Sequence, residues 1–204
     1  MKRMAAFCYV VGDEKTRTCG LIDPAFETGR ILSQVGDLGY KVTHIINTHG
    51  HADHTAGNRT VRAATGAKLL IHEQDAPLLE RPLNRVLSRL LGGKGSPRPD
   101  ILLKDRDAIG IGFTTLTVLH TPGHTPGGIC LYTRGHLFTG DTLFVGGVGR
   151  TDLRGGSPDL LLRSIREKIY TLPGGTRVWP GHDYGRACSS TVEYERRTNP
   201  FARG

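Results

Sequence analysis

The chain has 204 residues, 37% of them hydrophobic, enough for a substantial buried core in a single domain. Its formal charge of +8 attracts nucleic acid, acidic lipid and acidic small molecules alike and therefore selects none of them. The apolar run from Met4 to Val11, behind Lys2 and Arg3, is too short to span a bilayer and ends in Gly12, Asp13, Glu14 and Lys15 without a cleavage site, so neither leader nor membrane anchor is expected and the cytoplasm is the default compartment.

Phe7 to Val11 and Gly20 to Ile22 read as two short strands around the polar turn Gly12 to Thr18, and Asp23 and Pro24 end the second. From Glu27 to Leu38, Ile31, Leu32, Val35 and Leu38 keep helical spacing, with Gly39 placed to stop the helix. Val42 to Asn47 is a buried strand by its β-branched run. Thr48 to His54 leaves that strand, Ala56 to Ala64 fits a helix, and Lys68 to Ile71 returns as a strand. Alternation of this kind is expected where helices cover a sheet.

Residues 81–100 interrupt the pattern. A helix carrying Leu83, Val86, Leu87, Leu90 and Leu91 runs into Gly92, Gly93, Gly95, Pro97 and Pro99, a loop suited to a lid, a subunit contact or a plain surface excursion. Strands are then predicted at Phe113 to Leu119, Ile129 to Tyr132 and Leu137 to Thr139, a helix around Asp159 to Tyr170, and a last strand at Thr176 to Trp179. Cys8, Cys19, Cys130 and Cys188 form no CxxC pair and read as ordinary thiols.

The chemistry is concentrated in Thr48-His49-Gly50-His51-Ala52-Asp53-His54 at the end of a predicted strand. Imidazole and carboxylate together suit zinc, iron and manganese. A loop that reverses direction lets His49 and His51 converge on one ion while Asp53 and His54 face another, the arrangement of paired ions that clamp a hydroxide. His120, Asp141 and His182 each follow a predicted strand and complete the candidate ligand set. His124 is read as orienting another group rather than as a ligand. His44, His72 and His136 lack such company and are read as structural or exposed.

The HxHxDH segment, His120-Thr121-Pro122-Gly123-His124-Thr125-Pro126-Gly127, Thr139-Gly140-Asp141-Thr142 and Pro180-Gly181-His182 occur in the order typical of the metallo-β-lactamase superfamily, which the chain resembles from Phe7 to about Tyr184. The resemblance implies an α/β fold, the four-layer αββα sandwich, with metals at one edge. It places His49, His51 and His120 at a first site, Asp53, His54 and His182 at a second, and Asp141 between them.

Gly140 to Ser157, with Phe144-Val145-Gly146-Gly147-Val148-Gly149-Arg150-Thr151-Asp152, looks like both the glyoxalase II group and the persulfide dioxygenases, which act on glutathione derivatives. The first expectation is a thioester hydrolase with two divalent ions, zinc, iron or manganese, in which Asp53 and Asp141 are catalytic because they hold the attacking water. The alternative is one Fe(II) on His49, His120 and Asp141, oxidising glutathione persulfide. Arg150 and Tyr184 stand where related hydrolases contact the tripeptide and are the expected substrate anchors. No nucleic acid or membrane partner is expected, and the oligomeric state, a homodimer included, is left open. A purely structural metal is disfavoured because the ligand set has no cysteine.

Overall fold

The computed structural model describes residues 6–203; Lys2, Arg3 and Met4, the basic start noted above, lie outside the described residues. In chain order the elements are β1 (Tyr9–Asp13), β2 (Thr18–Ile22), α1 (Thr28–Asp37), β3 (Lys41–Ile46), α2 (Ala52–Thr55), α3 (Asn58–Thr65), β4 (Lys68–His72), α4 (Ala76–Glu80), α5 (Pro82–Leu90), β5 (Ile101–Leu103), β6 (Ala108–Ile111), β7 (Thr114–His120), β8 (Ile129–Thr133), β9 (His136–Gly140), β10 (Leu143–Phe144), β11 (Gly147–Val148), α6 (Pro158–Ser164), β12 (Arg177–Pro180), β13 (Ser190–Thr191) and α7 (Val192–Thr198). The helix expected over 159–170 forms as α6 continued by a wider π-helical turn, Ile165–Ile169, in which Tyr170 N–H donates to the Ile165 carbonyl at 2.9 Å.

One sheet has the order β1-β2-β3-β4-β5 and the other β13-β12-β9-β8-β7-β6. From β2 to β5 neighbouring strands are parallel, as connections through helices require. Both faces of β2, β3 and β4 are covered, so their apolar residues run without interruption: Leu21, Ile45, Leu69 and Ile71 face α1 and α3, whereas Ile22, Ile46 and Leu70 face the second sheet. There they meet Ile109, Ile111, Leu116, Val118, Ile129, Leu131 and Phe138. Behind the second sheet Leu137, Cys130 and Val178 pack on Leu161, Ile165 and Ile169 of the α6 segment and on Val192 of α7. The layering is helix, sheet, sheet, helix, the expected sandwich, and each fully buried Leu or Ile contributes about 1.5–3 kcal/mol.

The pattern did not reveal α4, β5, β6 or α7, each too short for a period to register. α7 is nonetheless well started: Thr191 caps it by accepting from Tyr194 N–H at 3.2 Å. α5 turns most of its apolar residues outward. Its buried residue is Ser88, while Leu83, Val86, Leu87 and Leu90 face solvent. It docks through polar contacts: Asn84 Nδ2 donates to the Gly50 carbonyl at 3.0 Å and, just beyond the helix end, Lys94 N–H donates to the Ala56 carbonyl at 3.2 Å. All four cysteines are free thiols. Among the described residues no helix is long and apolar enough to cross a membrane.

Candidate metal centre

Four strand ends meet at one rim of the sandwich. β3 feeds the turn carrying His49 and His51 and then α2, which holds Asp53 and His54; β7 leads to His124, β9 to Asp141 and β12 to His182. Gly50 N–H donates to Asp75 Oδ2 at 2.8 Å, and Asp75 also accepts from Thr125 Oγ1 at 2.8 Å and Gly127 N–H at 2.7 Å. One buried carboxylate thus ties the loop after β3 to the loop after β7.

Two groups of side chains converge. The ligand atoms of His49, His51 and His124 lie within 4.8 Å of one another, as do those of Asp53, His54 and His182. His51 Nδ1 is 2.9 Å from His124 Nε2, and His54 Nε2 is 3.0 Å from His182 Nε2. Asp141 lies between the groups, 3.6 Å from His124 Nε2 and 3.4 Å from both His54 Nε2 and His182 Nε2. Donors bonded at about 2.1 Å to one tetrahedral ion sit at about such separations.

His120 is not among them, which corrects the ligand set drawn from the sequence. Its ring lies on His72, with centroids 4.0 Å apart, and its Nε2 is 2.8 Å from the Pro126 carbonyl. His120 is the last residue of β7, held to the sheet edge by Asp105, whose Oδ1 accepts its N–H at 2.7 Å. The turn that follows passes through Gly123 at φ +137°, where any side chain would strike the backbone of Leu161, and it is this turn that swings His124 back to the rim. The alternative triad of the sequence reading therefore takes His124 in place of His120.

The imidazoles are held from behind, which fixes the nitrogen each presents. His54 Nδ1 sits 2.9 Å from Asp23 Oδ2, and the same carboxylate accepts from Thr48 Oγ1 at 2.6 Å. His124 Nδ1 lies 2.7 Å from the Arg150 carbonyl, and His49 Nδ1 is 3.2 Å from Thr48 Oγ1. Asp23 and Asp75 were not singled out in the sequence, since each is an isolated acid far along the chain from its partners.

Burial, followed by the charges of His54, His124 and His51, holds His49 well below the ordinary histidine range. Burial and then His124 bring His51 down to about 4 against the pull of Asp53. Both are therefore neutral at pH 7, the form that offers a lone pair. For His54, burial works against the charge, but Asp141, Asp23 and Asp53 outweigh it and push the group up to about 10. Burial likewise opposes ionisation of Asp141, and His54 and His182 overcome it and hold the carboxyl below its usual value. The rim around Asp141 thus favours positive charge.

The donor set fits a metal ion. Among the described residues, His49 Nε2 and Asp141 Oδ1 are buried without a hydrogen-bond partner, a costly condition that a cation between them would relieve. Nitrogen and carboxylate oxygen without thiolate suit iron, zinc or manganese. Beside the cluster, Arg150 and Tyr184 line the same cavity: Arg150 is ion-paired with Asp152, and Tyr184 stacks on His182 with centroids 4.6 Å apart.

Residues 1–182 match the metallo-beta-lactamase superfamily. The chain is 38% identical over 197 residues to the human mitochondrial persulfide dioxygenase ETHE1, covering 95% of this chain and 70% of the human protein. The crystal structure of ETHE1 from Myxococcus xanthus superposes with a TM-score of 0.83 at 32% identity, over 98% of this chain and 80% of that one. The BLEG-1 B3 metallo-beta-lactamase superposes with a TM-score of 0.87 at 32% identity, over 100% and 99%. With the histidine and aspartate cluster at the rim of an αββα sandwich, these likenesses establish that the chain belongs to the metallo-beta-lactamase superfamily.

Proposed function

We propose that the protein is a persulfide dioxygenase that works with one Fe(II), held by His49, His124 and Asp141. The observation that carries this reading is the likeness, over almost the whole chain, to proteins named as persulfide dioxygenases, together with two imidazoles, those of His49 and His124, and the Asp141 carboxylate meeting at the rim. That likeness favours the alternative drawn from the sequence over the thioester hydrolase. The net reaction is R–S–SH + O2 + H2O giving R–SH, sulfite and two protons: the outer sulfur is oxidised, dioxygen is reduced, and the S–S bond breaks to release the carrier thiol.

Iron on two histidines and one carboxylate supplies a redox centre with open positions for the reactants. The chain's own residues do the rest. Asp23 and Thr48 orient His54 and His49, and the Arg150 carbonyl orients His124. His54 and His182 face Asp141 and Asp53 and hold protons beside the place where an anionic persulfide arrives. Arg150 and Tyr184 are the polar groups at the cavity mouth and are assigned to substrate contact, as a glutathione carrier would need.

A dinuclear hydrolase is the second reading. It is favoured by the close grouping of Asp53, His54 and His182 and by the fit to the B3 metallo-beta-lactamase. In that case Asp53 and Asp141 position the attacking water, and the ions polarise the thioester carbonyl.

Anaerobically purified protein, analysed for metal and then given glutathione persulfide or S-lactoylglutathione, separates the two. One iron per chain with persulfide-dependent oxygen uptake and sulfite release is the expected result. Two metals with thioester cleavage and no oxygen uptake overturn it.

A further inference from the structure

β10 and β11 form a hairpin of only two residue pairs, Leu143 with Val148 and Phe144 with Gly147, closed by Val145 and Gly146. So short a ladder is marginal in water by itself. Its incoming strand is fixed from the sheet: Leu143 is fully buried, and its carbonyl accepts from Thr139 Oγ1 at 2.7 Å. Its outgoing strand is only half-buried at Gly147 and Val148. Two residues on, that strand delivers Arg150, whose carbonyl lies 2.7 Å from His124 Nδ1.

The tip of the hairpin is tied to the C-terminal helix. Glu195 of α7 and Asn199 just beyond it, one helical turn apart, are both fully buried. Glu195 Oε2 accepts from Gly146 N–H at 2.9 Å and from Asn199 Nδ2 at 2.9 Å, and the same Nδ2 donates to the Gly147 carbonyl at 3.0 Å. On its other side, Asn199 Oδ1 accepts from Phe201 N–H at 3.1 Å. Gly147, Val148, Arg150 and Phe201 line the cavity that opens from the imidazole cluster. A carboxyl group wholly removed from water costs stability, the more so because, among the described residues, Glu195 Oε1 has no partner. An apolar residue would fill the space at less cost, but it could not hold Gly146 N–H in one place.

We propose that Glu195 and Asn199 are positioning residues for the metal centre. By fixing Gly146 and Gly147 they set the Arg150 carbonyl that orients His124, and with it the Arg150 side chain at the cavity mouth. The inference rests on the reading of His124 as a metal ligand, and it holds for one metal ion or two. A pair that merely stabilised α7 would leave the His124 ring undisturbed.

Protein loaded with cobalt(II) tests this, because the visible absorption of that ion reports its ligand geometry whatever reaction the protein performs. His124→Ala should change the spectrum outright. Glu195→Ala and Asn199→Ala should shift the bands and weaken cobalt binding about tenfold in competition with a chelator. Glu195→Gln keeps an oxygen that can accept from Gly146 and Asn199, and should restore both the spectrum and the affinity. Ile169→Ala, a truncation in the core beneath α7 that removes no hydrogen bond to the hairpin, should lose stability and keep both. Asn199→Ala carries the comparison where Glu195→Ala does not fold. A wild-type spectrum and affinity in Asn199→Ala, or in folded Glu195→Ala, overturns the positioning role. An unchanged spectrum in His124→Ala overturns the ligand reading instead, and the proposal with it.

Discussion

His120 lies flat on His72, with planes 13° from parallel, while its Nε2 meets the Pro126 carbonyl at 2.8 Å in the loop that delivers His124. One histidine therefore braces the loop and the other enters the rim. His124→Ala should abolish tight binding of the metal ion, whereas His120→Ala should keep the wild-type metal stoichiometry and lose stability. Metal analysis after dialysis against a weak chelator checks both; full metal retention in His124→Ala counts against its place in the ligand set.

Asp75 should be the strongest single acid for cohesion of the rim. Asp75→Ala leaves the buried Gly50 and Gly127 N–H groups without acceptors, at about 1–3 kcal/mol each. Denaturant unfolding of the metal-free protein should show a loss of about 2–6 kcal/mol. An unchanged midpoint would mean that water replaces the carboxylate.

Asp23 acts on the metal through Thr48 and His49. Asp23→Asn keeps the volume but removes the negative charge that accepts from Thr48 Oγ1 at 2.6 Å, the same oxygen that lies 3.2 Å from His49 Nδ1. The expected result is a metal affinity about 10- to 100-fold weaker, read by chelator competition. Wild-type affinity in Asp23→Asn would show that the imidazole orients without the charge.

The His72 stack makes stability depend on acid. Burial, and then the charge of His120, pull His72 down from 6.5 to about 4. As the pH falls, the unfolded chain takes up this proton first, so stability is full above pH 6.5, declines between 6.5 and about 4, and levels off below that for this group. His72→Gln should remove that part of the slope in urea unfolding measured at successive pH values. A slope unaltered by the substitution would assign the acid sensitivity to other groups.

Much of this was legible because it is local. The β-branched run before Asn47 announces β3, and a cluster of imidazoles and a carboxylate just beyond it has few readings other than a metal. His120 and His124 were harder, since both flank the same Thr-Pro-Gly turn and only the strand end was visible as a cue. The left-handed backbone at Gly123 decides between them, and its one trace in the sequence is a glycine with freedom to reverse the chain. Asp23 and Asp75 were illegible for another reason: their partners lie 25 to 52 residues away, so their importance exists only once the sheets have paired. α5 defied its own pattern because a helical period tells which residues share a stripe, not which side of the helix meets the protein.

The convergence of four strand ends has a mechanical consequence. An ion gripped by His49, His124 and Asp141 fastens the end of β3, in one sheet, to those of β7 and β9 in the other, closing long stretches of chain into loops. Loading should then stiffen the seam between the sheets along this rim and leave the opposite rim unchanged, a gradient of amide exchange running from one end of the sandwich to the other.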